Sequence, residues 1–270
     1  MIVFPNAKIN LGLHVVAKRP DGFHNLETVF LPVGWSDVLE IIRSEKEETE
    51  FTQTGTKLFG DVHSNLCMKA YDLMAQQHGI GPVRMHLHKL IPIGAGLGGG
   101  SSDAAFTLLA LNSVFQLNLS STTLQEYASR LGSDCAFFIR NSPALATQKG
   151  DQFKAADVPL KGYFLVIVKP RVSIRTADAY GDVVPGKPEN ALPTVIKLPV
   201  TQWKDLLKND FENSVFKKRP SIGKTKEKLY SLGALYASMS GSGSAVYGIF
   251  KGPVDLKSHF RGSAIWQSPL

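Results

Sequence analysis

Apolar and polar residues alternate clearly in two places in the first third of the chain. Ile9, Leu11, Leu13 and Val15 are interleaved with Asn10, Gly12 and His14, which predicts a strand with one buried face. Val83, Met85 and Leu87 alternate with Arg84, His86 and His88 and predict a second. Between them, residues 45–50 form a charged run that suits an exposed turn or strand end. Residues 65–78 carry Leu66, Ala70, Leu73 and Met74 at helical spacing, with Gly79 as the stop. Ala104, Leu108, Leu111 and Phe115 predict another helix. A further one starts near Thr122, with Gln125 completing a capping box, and closes at Gly132. Residues 163–168 form an apolar run between Gly162 and Pro170, as in a buried strand. Residues 185–202, rich in Pro and Lys, suit a loop or linker. Ile222 to Leu232 has helical spacing and is capped by Gly233. Leu235–Met239 and Ala245–Phe250 flank Ser240-Gly241-Ser242-Gly243-Ser244, a hairpin with a glycine-serine turn. No repeat is evident, and strands and helices mix without a regular βαβ rhythm. The chain is therefore expected to be α+β in two lobes, residues 1–155 and 156–270.

Composition narrows the class. Hydrophobic residues at 43% and charged residues at 20% suit a globular protein with a real core. The formal charge of +7 favours anionic partners, but the basic residues are scattered. The densest run, Lys217-Lys218-Arg219, suits a solvated loop. No continuous basic face with interleaved aromatics points to nucleic acid. Cys67 and Cys135 are far apart and form no metal or disulfide framework; Cys135 sits in an apolar run and is expected to be a buried small residue. No apolar run approaches the ~18 residues of a membrane span, and the N-terminus lacks a signal pattern, so a soluble cytoplasmic protein is expected.

The chemistry concentrates in Pro92-Ile93-Gly94-Ala95-Gly96-Leu97-Gly98-Gly99-Gly100-Ser101-Ser102, where five of the seven residues from 94 to 100 are glycine. Without Cβ atoms, backbone amides approach a ligand closely and the chain adopts positive φ. The segment opens a helix, whose first amides lack intrahelical partners and carry partial positive charge. Together these make a phosphate cradle. A Walker loop would need Lys after its last glycine, where Gly100 and Ser101 follow Gly99. A dinucleotide fingerprint is met by Gly94, Gly96 and Gly99. It would need an acidic residue about 20 positions on, yet Ala104 to Gln125 contains no Asp or Glu. A different nucleoside-triphosphate loop passes both tests.

Three stretches together resemble the GHMP kinases: Ala7-Lys8-Ile9-Asn10-Leu11, the loop at 92–105, and residues 239–248. The resemblance runs over nearly the whole chain. More narrowly, Ala7 to Leu11, Arg19 to Thr28 and Leu131 to Phe138 resemble the branch whose acceptor is a cytidine-diphosphate-linked methylerythritol of non-mevalonate isoprenoid synthesis. It implies an N-terminal lobe like ribosomal protein S5 domain 2, a ferredoxin-like C-terminal lobe, and an active site between them. It also implies transfer of the γ-phosphoryl of ATP to the 2-hydroxyl of that acceptor. Asp134 would be the general base and Lys8 the cation beside it, with Asn10 on the same strand face. Asn65 would lie near the adenine. Lys89, Pro92, Gly94, Gly96, Leu97, Gly98, Gly99, Gly100, Ser101 and Ser102 would hold ATP. Phe23, His24, Thr176, Tyr180, Gly241, Ser242 and Gly243 would meet the acceptor; where the family has Tyr, Phe23 keeps the stacking face but loses the hydroxyl. Residue by residue, plainer roles compete: Asp134 and Asp103 as helix caps, Lys8 as an edge-strand lysine, Phe23 as core. No residue set looks like a permanent metal cage, so Mg²⁺ is expected to arrive with ATP. The expected partner is the small cytidine substrate alone, with no membrane or nucleic acid, in a monomer or weak homodimer. Rival functions are another GHMP kinase, acting on homoserine, mevalonate or a sugar, and a non-catalytic nucleic-acid-binding module.

Overall fold

The structure, a computed structural model, describes residues 1–57, 61–256 and 258–270. In chain order its elements are β1 (Ile2–Val3), β2 (Asn6–Lys18), β3 (His24–Ser36), β4 (Val38–Arg43), β5 (Glu50–Gly55), α1 (Leu66–His78), β6 (Val83–Lys89), α2 (Gly99–Val114), α3 (Ser121–Leu131), α4 (Cys135–Arg140), β7 (Ala144–Thr147) and β8 (Gln152–Ala155). They continue with β9 (Phe164–Lys169), α5 (Thr176–Tyr180), α6 (Leu192–Val195), α7 (Trp203–Leu206), α8 (Phe211–Lys218), α9 (Pro220–Ser231), β10 (Tyr236–Met239), β11 (Val246–Phe250) and β12 (Ala264–Pro269). The content is α+β, as expected.

The chain forms two compact units, and neither is contiguous. The first holds Met1–Ala7, Pro32–Ile93 and Gly98–Ser142; the second holds Lys8–Leu31, Gly94–Leu97 and Pro143–Leu270. The expected division at residue 155 differs from this because residues 8–31 pair with strands that follow residue 143.

In the first unit, β1-β4-β6-β5 form a sheet in which only the β5–β6 pair is parallel. β6 buries Val83, Met85 and Leu87 on one face, and β4 buries Leu39 and Ile41. α2 packs on β4 and against α1, α3 and α4. It buries Ser102, Asp103, Ala104, Ala105, Thr107, Leu108, Ala110 and Leu111, more than one stripe, as befits a helix covered by neighbours on several sides. Asn65 caps α1 through its side chain, and Gly79 ends it in the left-handed region.

The second unit has the antiparallel sheet β10-β11-β9-β12, with α9 packed on β10 and β11. The C-terminal residues from Trp266 are thus part of a strand along β9. A further sheet has the order β2-β3-β7-β8. β2 is buried on both faces from Ala7 to Val15, not on one. Leu13 and Val15 join the core, while a Cβ on Gly12 would strike Leu207 and Leu192. That contact also explains why residues 185–202 are more than a linker. They contain α6, and Leu192, Val195, Ile196 and Val200 are buried at helix-like intervals. Lys217 and Lys218 form the last turn of α8 rather than a loop, where cations suit the helix dipole.

α3 begins before Thr122: the Ser120 side chain accepts from the Thr123 amide at 3.1 Å, so the capping box at Thr122 and Gln125 is not used. Ser120→Ala is expected to lower unfolding stability by about 1 kcal/mol. Thr122→Ala should stay within about 0.5 kcal/mol. Urea denaturation of both variants checks this.

Candidate active site

The glycine-rich segment is shared by the two units along the chain: residues 94–97 belong to the second and residues from 98 onward to the first. Gly94, Gly96 and Gly98 all have positive φ, of 60°, 77° and 70°. A side chain at Gly94 would meet nothing within 4 Å, whereas a Cβ at Gly96 would run into the Ser240 carbonyl.

This close approach brings the two glycine clusters of the second unit together. Ser240 Oγ donates to the Gly96 carbonyl at 2.9 Å, and the Ala245 amide donates to the Ala95 carbonyl at 3.0 Å. The Lys8 amide donates to the Leu97 carbonyl at 2.9 Å. Asn10 is the hub. Its Oδ1 accepts from Lys8 Nζ at 2.7 Å, its Nδ2 donates to Thr28 Oγ1 at 3.0 Å, its amide donates to Ser240 Oγ at 3.3 Å and its carbonyl accepts from Tyr247 Oη at 2.8 Å. Lys8 is 3% exposed, with its ammonium 4.5 Å from the centre of the Phe30 ring, so it is no edge-strand solvent lysine. Asn209 Nδ2 supports the second loop from beneath, donating to the Met239 and Gly241 carbonyls. Glu212 accepts from the Met239 amide and Ser238 Oγ. Asn209 and Glu212 lie outside every motif of the sequence, while Thr28, Ser240 and Tyr247 lie within motif stretches that gave them no individual role.

The acceptor-side aromatics also lie in the second unit. Phe23 is 59% exposed in the turn joining β2 to β3, which rules out core packing. Lys149 sits 4.4 Å from its ring centre and 3.1 Å from Asp21. Lys149, then the Phe23 amide and Arg19, hold the Asp21 carboxyl below its ordinary range despite slight burial. Tyr180 stacks on His24 at 4.6 Å and meets Phe211 edge-on at 4.7 Å. Thr176 and Ser242 hydroxyls are 3.3 Å apart, joining α5 to the second loop.

In the first unit, α2 starts at Gly98 with no side-chain cap and no acid in its first turn. Its opening amides therefore lie free of side-chain competition, which suits an anion. Two sequence expectations change here. Ser102 is fully buried with no partner for its hydroxyl, and its amide makes the first bond of the helix, to Gly98 O, so that amide is already used. Lys89 is not poised for phosphates: it is 2% exposed and ion-paired with Asp37 and with Asp103, the latter at 2.6 Å. Burial works against its charge, but the two carboxylates outweigh it and raise its pKa. Asp103 is therefore held by Lys89 and does not cap the helix. Asn65 spends its side-chain oxygen on the Cys67 amide at 2.8 Å, and Pro92 is half-buried. Ser101 is half-buried in the first turn of α2. Asp134 stands at the start of α4, half-buried, and makes no capping hydrogen bond. Both cysteines are buried, and burial raises both thiols, Cys135 to about 11. Among the described residues, no three His, Cys, Asp or Glu are placed to hold a metal ion, and no helix is long and apolar enough to cross a membrane.

One unit thus has a glycine-opened, uncapped helix and the other a buried lysine–asparagine pair on a strand, and the family that carries both sequence features is one of small-molecule kinases without a Walker loop. The chain belongs to the GHMP kinases: residues 65–142 match the GHMP kinases N terminal domain and residues 196–259 the GHMP kinases C terminal domain. It is 49% identical, over the full length of both chains, to a protein of Parabacteroides distasonis named 4-diphosphocytidyl-2-C-methyl-D-erythritol kinase. It is 53% identical to one of the same name from Bacteroides thetaiotaomicron, covering 93% of this chain and 92% of that one. A crystal structure of 4-(cytidine 5'-diphospho)-2C-methyl-D-erythritol kinase superposes with a TM-score of 0.84 at 31% identity, covering 99% and 98% of the two chains. The Methanococcus jannaschii mevalonate kinase, with a TM-score of 0.72 at 15% identity over 99% and 97%, shares the fold.

The contrast between two glycines is testable. Gly94→Ala should lose about 1 kcal/mol of stability from its positive φ alone. Gly96→Ala adds a backbone clash and should lose more than about 2 kcal/mol, read as a larger drop in Tm on calorimetry.

Proposed function

We propose that this protein transfers the γ-phosphoryl group of ATP to the 2-hydroxyl of 4-diphosphocytidyl-2-C-methyl-D-erythritol, a step of non-mevalonate isoprenoid precursor synthesis. The observation that carries the reading is the glycine-opened, uncapped and acid-free start of α2, in a chain that aligns over its whole length with kinases named for that acceptor. The amides of Gly98, Gly99, Gly100 and Ser101 would receive the phosphates, with Gly94, Gly96 and Leu97 shaping the approach, and Asn65 would lie near the adenine. Mg²⁺ arrives with the nucleotide, held largely by phosphate oxygens and water.

Phosphoryl transfer asks for positioning, charge neutralisation and one group to take the nucleophile's proton. Asp134 takes the proton of the acceptor hydroxyl as its oxygen bonds to the γ-phosphorus. The bond from that phosphorus to the bridging oxygen breaks, and its electron pair leaves with ADP. Lys8 balances developing negative charge; fixed by Asn10 and buried, it acts where water screens it little. Phe23 offers its exposed face to the cytosine, with His24, Thr176, Tyr180, Ser242 and the glycines at 241 and 243 around the acceptor. The protein works in the cytoplasm, as a monomer or weak homodimer. The mevalonate and homoserine kinases share the fold at 15–17% identity, which supports no acceptor assignment, and a nucleic-acid-binding module leaves both glycine loops without a purpose.

ADP release should depend on the cytidine compound and not on homoserine or mevalonate; activity with either of those instead would reject the acceptor. Asp134→Asn should lower kcat by about 10²- to 10⁴-fold while leaving ATP binding within about twofold. Phe23→Ala should raise KM for the cytidine substrate about tenfold with a smaller change in kcat, as for loss of one stacking face.

A further inference from the structure

Beneath the first turns of α2 lies a buried cluster with one cation and two carboxyl groups: Lys89 from β6, Asp37 from the turn before β4, and Asp103 from α2 itself. Their exposures are 2%, 0% and 2%. Cys67 of α1 also faces the cluster, and burial keeps its thiol neutral. The two carboxyl groups are not equivalent. Asp37 Oδ1 accepts the amides of Leu90 and Ile91 at 2.5 and 2.8 Å, and its Oδ2 accepts from Lys89. Asp103 has the Lys89 contact through Oδ2, while its Oδ1 is buried with no partner. One ammonium cannot neutralise both carboxylates. Asp37 has three donors and Asp103 only one, so Asp103 is the less supported of the two and the group placed to take up a proton.

The cluster is also close to the start of the helix. Lys89 Nζ is 3.0 Å from where a Cβ on Gly99 would sit, and Asp103 lies four residues further, about 6 Å along the axis. With Asp103 neutral the cluster carries no net charge. With Asp103 ionised it carries a net negative charge just below the amides that would receive phosphates.

We propose that nucleotide binding at the start of α2 is coupled to uptake of a proton by Asp103, so that affinity for the nucleotide falls as the pH rises above neutrality. The inference rests on the phosphate-site reading of that helix start. Burial first, and then Asp37, push the Asp103 carboxyl up to about 7 against the pull of Lys89. An anion arriving above it favours the neutral form and pushes it higher. Below neutrality Asp103 already holds its proton and binding takes up none. Above neutrality binding draws one in, and affinity declines with pH.

Titration calorimetry with Mg²⁺·ATP, in buffers of differing ionisation enthalpy at about pH 6 and about pH 8.5, tests this on the full chain. Asp103→Asn, neutral and of the same shape, is the comparison. The nucleotide's own titration is common to both proteins and cancels. The wild type should take up about 0.1 to 0.3 proton more than the variant at the higher pH, and its Kd should rise roughly three- to tenfold more between the two. Equal uptake and parallel Kd profiles would overturn the coupling. Should the variant fail to fold, wild-type uptake no larger than the nucleotide's free-solution titration supplies would overturn it equally. Absence of nucleotide binding at both pH values would overturn the phosphate-site reading, and the coupling with it.

Discussion

The approach of Gly96 to the Ser240 carbonyl is the contact on which the second unit's functional groups depend. Two backbone segments more than a hundred residues apart meet with no side chain between them, which only glycine permits at that φ. Ser240 Oγ then bridges, accepting from the Asn10 amide and donating to the Gly96 carbonyl. Through Asn10 the same contact orients Lys8. Each hydrogen bond contributes about 1 kcal/mol net, but breaking one strands a buried polar group at about 1–3 kcal/mol. The network therefore holds one geometry. Asn209 and Glu212 complete it from beneath by fixing the backbone on either side of Ser240.

The first unit trades stability in the opposite sense. α2 is one of its most buried elements, yet begins without a cap. A side-chain cap there would add about 1 kcal/mol but would occupy the amides that an anion needs. The helix is anchored instead by its apolar residues and by the Asp103–Lys89 pair, which pins its second turn to β6.

What the sequence made legible was what repeats locally. β2 and β6 show in their alternation, α1 in its spacing and its glycine stop, and both glycine clusters in their composition. The unread parts depend on distant partners. Thr28, Asn209 and Glu212 are ordinary polar residues at ordinary spacing, and only folding places them around Asn10 and the second loop. β2 looked half-exposed because Asn10, Gly12 and His14 are polar or small, while the groups that cover them come from Thr28 and from beyond position 190. The Pro- and Lys-rich stretch hid α6 for the converse reason: its composition suggests a loop, while Leu192 and Val195 are held by packing. Lys89 misled most directly. Its position before the loop suggested a phosphate ligand, and nothing in the neighbouring residues announced that Asp37, 52 positions earlier, would claim it.

That claim bears on how a phosphate site without a Walker lysine gains its affinity. Withdrawing Lys89 from its cluster toward a ligand would leave a buried carboxylate uncompensated, a penalty of about 3–5 kcal/mol that few contacts to a phosphate would recover. Nor does the surplus charge of +7 supply the fit, since scattered surface cations draw an anion nearer without shaping its site. The selectivity must then come from oriented backbone: glycines at positive φ aim their amides, and the helix start adds its partial charge. A site of that kind is sensitive to any net charge buried beneath it. On the phosphate-site reading, the unpartnered Oδ1 of Asp103, buried below the first turn of α2, is therefore placed where its charge bears directly on the loop.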